Sequence, residues 1–145
     1  MIWRATRGQL WAFLAVALCA VSAIATAADY VVPKGVIAVQ AEDVIRLARE
    51  HDDLILIDSR SRSDREMGYI EGSLSLPDDQ TSCVTLSKLS NRFDQPMVFY
   101  CNGVKCGRSH RAVQIASGCG YSTLYWFKDG FEEWRGKRFP VLKSH

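Results

Sequence analysis

Two unbroken apolar runs, Leu54-Ile55-Leu56-Ile57 and Met97-Val98-Phe99-Tyr100, constrain the fold of this chain more than any other feature. Neither run alternates with polar residues, so neither offers a face to water. Runs of that kind suit parallel strands covered on both sides. Residues 41–49 have a helical period, with Val44, Ile45, Leu47 and Ala48 on one side and Glu42, Asp43, Arg46 and Arg49 elsewhere. Residues 36–39 and 122–126 are further strand candidates, and residues 73–76 a weaker one closed by Pro77. Residues 109–117 are a helix candidate, 85–92 a weaker one, and 131–135 a terminal helical turn. Strands alternating with helices predict an α/β domain with a central parallel five-stranded sheet flanked by helices and joined by right-handed crossovers.

Residues 1–27 stand apart from that domain. Arg4 and Arg7 form a short positive region, residues 10–24 are almost continuously apolar, and Ala25-Thr26-Ala27 supplies the small residues a signal peptidase reads. The run is short for a membrane span, which needs about 20 apolar residues. The expectation is a cleaved signal peptide at 1–27 and one domain at 28–145, with its core at about 36–142. The domain is then exported, most simply to a periplasm, with no stable membrane anchor after cleavage. Two of the chain's 18 Lys and Arg lie in the leader and none of its 16 acidic residues does, so the domain itself is formally neutral. No basic tract with interleaved aromatics is present, which removes support for nucleic-acid binding.

The chemistry concentrates between Val98 and Ser109. An apolar strand ends in Cys101, a loop rich in glycine and basic residues follows, and a helix begins. In a parallel sheet, ligands bind beyond the carboxyl ends of the strands, where Cys101 falls. The positive end of the next helix and the loop N–H groups favour an anion there, lowering a thiol's pKa and holding an anionic substrate. Cys101 is the candidate catalytic nucleophile. Asn102, Gly103, Val104, Lys105, Cys106, Gly107 and Arg108 are the candidate substrate-binding residues. Gly103 and Gly107 are expected to take positive φ angles that turn successive N–H groups inward. Cys83 and Cys119 are candidates for a structural disulfide, although connectivity does not follow from sequence.

Three separated stretches resemble the rhodanese (sulfurtransferase) family. The first runs from Leu56-Ile57-Asp58-Ser59-Arg60 through Asp64 to Gly68-Tyr69-Ile70-Glu71-Gly72-Ser73 and Pro77. The second is the strand–cysteine–loop–helix unit around Cys101. The third is Asp129-Gly130-Phe131 with Trp134, Gly136 and Pro140-Val141. The resemblance implies a thiosulfate sulfurtransferase-like enzyme in which Cys101 attacks a sulfane donor, becomes a persulfide, and passes sulfur to cyanide, a thiol or a protein acceptor. It implies no cofactor and no metal. It also implies that Asp58 and Arg60 tie loops together and that Tyr69, standing where the family often has histidine, packs.

The loop departs from the family pattern. A typical member has arginine five residues after the nucleophile. Here Cys106 stands at that position and arginine follows at Arg108, so the loop is longer by two residues or rearranged. It resembles an exported subgroup with a Cys-Asn-Gly-x-x-Cys loop. Cys106 then has three readings: a resolving thiol for Cys101 if the loop curls back, a metal ligand with Cys101 and His110, or a buried residue without chemistry. His51 and His110 are expected at solvent. The aromatics Tyr121, Tyr125, Trp126, Phe127, Phe131 and Trp134 are expected mainly in the core. Other functions remain open: a non-catalytic persulfide carrier, a thiol redox protein using Cys101 and Cys106, or a phosphatase-like activity. The last is disfavoured because Gly107 stands where a Cys-x5-Arg loop needs arginine.

Overall fold

The computed structural model of the protein describes residues 30–143, and the expected leader at 1–27 lies outside them. The chain runs β1 (Val36–Val39), α1 (Ala41–Glu50), β2 (Ile55–Asp58), α2 (Arg62–Glu66), β3 (Tyr69–Ile70) and β4 (Leu74–Ser75). A 3-10 turn (Asp78–Gln80) leads to α3 (Cys83–Ser87), β5 (Met97–Tyr100), α4 (Arg108–Gly118), β6 (Leu124–Phe127), α5 (Gly130–Gly136) and β7 (Val141–Leu142). Five strands form a parallel sheet in the order β1-β6-β5-β2-β4. The expected α/β class and five-stranded parallel sheet are thus observed.

Alternation within each strand builds two cores. Val36, Ile57, Met97, Phe99, Leu124 and Trp126 face one way and pack with Leu86 of α3 and Ala112, Val113 and Ala116 of α4. Leu56, Val98, Tyr100 and Phe127 face the other way, against Ala41, Val44 and Leu47 of α1 and Phe131 and Trp134 of α5. All four residues of β5 are buried, as a central strand covered on both faces requires. Register then sets the site, because Asp58 pairs with Tyr100 and Tyr100 with Phe127. Three strands therefore end at one level, and Cys101 is the next residue of the central one.

Several elements differ from expectation. The helix expected at 85–92 is α3, which starts at Cys83 because Ser82 caps it: the Ser82 hydroxyl accepts from the Thr85 N–H, and Thr85 returns the bond to the Ser82 N–H at 2.8 Å. Helix α2 was not expected, since none of its residues is buried and no apolar period marks it. The antiparallel pair β3–β7 is also unheralded, joining Tyr69 to Leu142 and Ile70 to Val141. Cys83 and Cys119 form a disulfide with Cα atoms 5.4 Å apart, linking the start of α3 to the C-cap of α4.

Candidate active site

Cys101 is the first residue past β5, and its side chain is fully buried. Residues of the following loop fold back over it. The Cys106 N–H donates to the Gly103 carbonyl at 2.9 Å, closing a turn whose tip, Val104 and Lys105, is exposed. That turn returns Cys106 to Cys101. The Cys101 thiol points at the Cys106 carbonyl oxygen, 3.0 Å from Sγ, and hydrogen-bonds the Cys106 sulfur. Ser109, on the first turn of α4 and fully buried, directs its N–H and its hydroxyl at the Cys101 sulfur. Its oxygen is held from behind by the Trp126 indole N–H at 3.0 Å.

Electrostatics divides the two thiols. The hydrogen bond with Cys106 and then burial push the Cys101 thiol up, against the N–H and hydroxyl of Ser109. Cys106 is lowered to about 6, first by the hydrogen bond from Cys101 and then by the backbone N–H groups of Arg108 and Asn102, with burial opposing. This corrects the expectation that the helix start makes Cys101 the acidic thiol. The Ser109 N–H meets the Cys101 sulfur, but those of Asn102 and Arg108 reach Cys106, which is the more acidic thiol of the two. Cys101 and Cys106 are the free cysteines among the described residues.

The expected positive φ angles at Gly103 and Gly107 are also corrected, since neither glycine adopts one. Both serve close approach. A Cβ on Gly107 would run into the phenol of Tyr30, which lies over the start of α4, and one on Gly103 would meet the Glu132 carboxylate. The glycine with a real conformational demand is Gly130, at φ +56, where a Cβ would come within 3.0 Å of the Cys101 carbonyl carbon and closer still to its oxygen. Its smallness lets α5 close on the loop: Phe131 N–H donates to Cys101 O at 2.8 Å and Glu132 N–H to Asn102 O at 2.7 Å. The Asp-Gly-Phe tripeptide carried this signal in the sequence, although nothing in it said which carbonyl the glycine would face.

Arg108 opens α4 and turns away from the sulfurs. Its Nη1 lies 2.9 Å from Asp64 Oδ2, and its Nε 3.9 Å from Asp78 Oδ1. Asp64 also accepts from Ser61 Oγ at 2.7 Å and Asn102 Nδ2 at 3.3 Å, and these bonds, Ser61 first, hold its carboxyl below the usual range. A cleft of about 300 Å³ beside Arg108 is lined by Ser61, Arg62, Asp78 and Arg111 among others. A second, of about 240 Å³, is lined by Arg60, Asp64, Met67, Asn102 and Phe131 among others. Asp64 and Arg108, one from each wall, join across the ground between them.

Beneath this surface lies a buried ionic cluster. Arg60 reaches Asp58 through Nε at 2.9 Å and Nη2 at 2.7 Å, and the Gly68 carbonyl at 2.8 Å, with its guanidinium 4.1 Å over the Phe131 ring. Arg65 Nη1 and the Tyr100 hydroxyl donate to the same carboxylate at 3.1 and 2.9 Å. Burial, then the charge of Asp58, drives the Tyr100 phenol upward, so it stays a donor. This is the loop-tying role expected of Asp58 and Arg60, and Tyr69 packs beneath Arg65, 3.8 Å from its ring centroid. His110 is corrected from its expected place at solvent: it lies between Tyr30 and Trp126, at 5.0 and 5.1 Å, with Nε2 2.9 Å from the Val31 carbonyl. That contact takes it out of any set with Cys101 and Cys106, and among the described residues no three His, Cys, Asp or Glu side chains converge.

The family model of the rhodanese-like domain matches residues 40–137, from the N-cap of α1 through the last turn of α5. The chain belongs to the rhodanese-like domain family. YibN of Escherichia coli K12 is 24% identical to this rhodanese-like domain over 94 residues, and the match spans 64% of each chain, less than two thirds of YibN. Among solved structures, the polysulfide-sulfur transferase of Wolinella succinogenes superposes with a TM-score of 0.62 at 21% identity, covering 76% of this chain and 80% of that one. The thiosulfate sulfurtransferase of Pseudomonas aeruginosa superposes with a TM-score of 0.61 at 16% identity, covering 76% of this chain and 21% of the other. At these identities the likeness is one of fold.

Proposed function

We propose that this rhodanese-like domain is a sulfurtransferase that moves sulfane sulfur from an anionic donor such as thiosulfate to a thiophilic acceptor through a persulfide on Cys101. One observation carries the reading. A second sulfur, that of Cys106, already lies hydrogen-bonded to Cys101 and collects the amide N–H groups of Asn102 and Arg108. It stands in for the outer sulfur of a persulfide, which needs the same donors. Charging therefore displaces Cys106 from the cradle, a movement the exposed turn at Val104 and Lys105 permits.

The resting charge on Cys106 provides the base. As Cys101 Sγ attacks the outer sulfur of thiosulfate, Cys106 takes its proton, the sulfur–sulfur bond of the donor breaks, and sulfite leaves. The products are a Cys101 persulfide anion, a neutral Cys106 thiol and sulfite, with charge conserved. The donor's sulfonate is met by Arg108, on release from Asp64, and by the amides of Asn102 and Arg108 that Cys106 vacates. Cyanide, a thiol or a protein thiol removes the outer sulfur. The reading includes export, placing the domain in the Cys-Asn-Gly-x-x-Cys subgroup outside the cytoplasm. The leader-like residues 1–27 and the Cys83–Cys119 disulfide support that, since disulfides persist in oxidising compartments.

The test is intact mass after thiosulfate treatment of the wild type, Cys101→Ser and Cys106→Ser, with thiocyanate release on adding cyanide. A one-sulfur adduct on Cys101, absent from Cys101→Ser, is expected. An adduct that never turns over would make the domain a carrier, and an adduct that survives Cys101→Ser would make Cys106 the nucleophile.

A further inference from the structure

The turn that closes the site leaves an asymmetric pair of thiols. Cys101 is wholly buried between Ser109 and the Cys106 backbone, so a bulky acceptor has no direct line to its sulfur. Cys106 is half-buried, its N–H held by the Gly103 carbonyl and its own carbonyl met by the Cys101 thiol. The two other cysteines of the domain are locked together in the α3–α4 disulfide. In the sequence Cys106 stands five residues after Cys101, where the resemblance to the family leads one to expect arginine, so a second sulfur occupies that position.

We propose that Cys106 is the discharging thiol of this site: it attacks the inner sulfur of the Cys101 persulfide, expels the outer sulfur as sulfide, and leaves a Cys101–Cys106 disulfide that an external dithiol reduces. This rests on the persulfide reading above and names the acceptor class within it. The balance closes. After charging, the proton on Cys106 passes to the outer sulfur. Cys106 thiolate then attacks Cys101 Sγ, forming the protein disulfide and breaking the persulfide bond, and HS⁻ leaves. The outer sulfur gains two electrons and the two cysteine sulfurs lose them. A dithiol then exchanges with the disulfide, restoring both thiols and becoming oxidised itself. Over one cycle, thiosulfate and a dithiol give sulfite, sulfide and a disulfide.

The fold favours this route over free thiol acceptors. In the resting site Cys106 folds back against Cys101, so the step is intramolecular and needs only the loop that moved aside on charging to return. The partner is accordingly a small dithiol or a protein carrying two neighbouring thiols, because a monothiol stalls at the mixed disulfide unless a second molecule arrives.

The experiment is a single turnover on the full chain. Reduced protein is charged with thiosulfate, freed of donor, and followed by intact mass, peptide mapping and sulfide assay, wild type beside Cys106→Ser and Cys101→Ser. The wild type is expected to lose the added sulfur, release one equivalent of sulfide, and end two hydrogens lighter with a Cys101–Cys106 linked peptide. Its adduct should decay at least about tenfold faster than that of Cys106→Ser, in which the added sulfur stays on Cys101 until cyanide removes it. A wild-type adduct as long-lived as that of Cys106→Ser overturns the proposal and leaves the persulfide reading standing. Sulfur found on Cys106 overturns it in favour of a relay. No adduct in any of the three proteins sinks the persulfide reading itself. Diamide, a thiol oxidant strong enough to form a disulfide that dithiols reduce, supplies an independent arm, because failure to form the Cys101–Cys106 bond under it overturns the proposal whatever the donor.

Discussion

Gly130 lies against the carbonyl group of Cys101 so closely that no side chain fits between the start of α5 and the end of β5. Its φ of +56 is one an L side chain rarely adopts, so Gly130→Ala combines strain with a backbone clash. The variant is expected to lose roughly 1–3 kcal/mol of stability, read as a lower urea midpoint with an unchanged slope. It is also expected to lose most of the sulfurtransferase turnover proposed above, since the Phe131 and Glu132 N–H bonds that anchor Cys101 and Asn102 must lengthen. Turnover at the wild-type level would show that α5 does not fix the loop.

Asp58 is the single carboxylate joining Arg60 and Arg65, and it is fully buried. Removing it strands two guanidinium groups, so Asp58→Ala is expected to cost roughly 3–5 kcal/mol. Adding Arg60→Met should recover part of that, because the variant then buries one fewer uncompensated charge. Chemical denaturation of the single and double variants measures both, and equal stability of the two would contradict the assignment of Arg60 to this carboxylate.

The charge on Cys106 has a pH signature. Its thiol ionises at about 6 rather than at the ordinary value of 9.0, so the reactive thiolate is depleted below pH 6 and abundant above it. Alkylation of Cys106 by iodoacetamide, located by peptide mass, should therefore rise with pH through a midpoint near 6. In Cys101→Ala the largest cause of the lowering is gone, and the midpoint should move up, while the Arg108 and Asn102 N–H groups still pull it down. A midpoint unmoved by Cys101→Ala would mean that the two thiols are not coupled.

The Cys83–Cys119 disulfide closes a sequence separation of 36 residues. Chain-entropy arguments assign a loop of that length about 3–4 kcal/mol. Replacing both cysteines by alanine should lower stability by up to that amount and leave persulfide formation intact, since the bond lies between α3 and the far end of α4. Stability in denaturant and charging by thiosulfate separate the two effects.

The legible parts of this fold were those built by local pattern. The β5 strand and the helix after Cys101 followed from an apolar run and a helical period, and β1, β2 and α1 followed likewise. Helix α2 escaped because Ser61 caps five residues that bury nothing, and its register comes from Arg65 reaching Asp58 and Ser73, contacts no periodicity records. The β3–β7 pair escaped because its two-residue strands lie some 70 positions apart and are aligned by the fold itself. The position of Cys101 was readable from its place after a buried strand, whereas the partition of charge was not. Helix-end reasoning placed the amides on Cys101, but the turn from Gly103 to Cys106 divides them, Ser109 serving Cys101 and Asn102 and Arg108 the other sulfur. Asp64 was visible as one acid in a motif, and its grip on Asn102 and Arg108 only in three dimensions.

Because Asp58, Tyr100 and Phe127 stand side by side in neighbouring strands, the sheet acts as a ruler for the reacting sulfur. A slip of one position in β5 would carry Cys101 along by about 3.3 Å and exchange the two faces, sending Phe99 toward α5 and Tyr100 toward α4. Tyr100 would then leave its carboxylate and Cys101 its serine together. Substitutions at Val98 or Phe99, both fully buried, should thus register in the proposed sulfur-transfer rate as well as in stability.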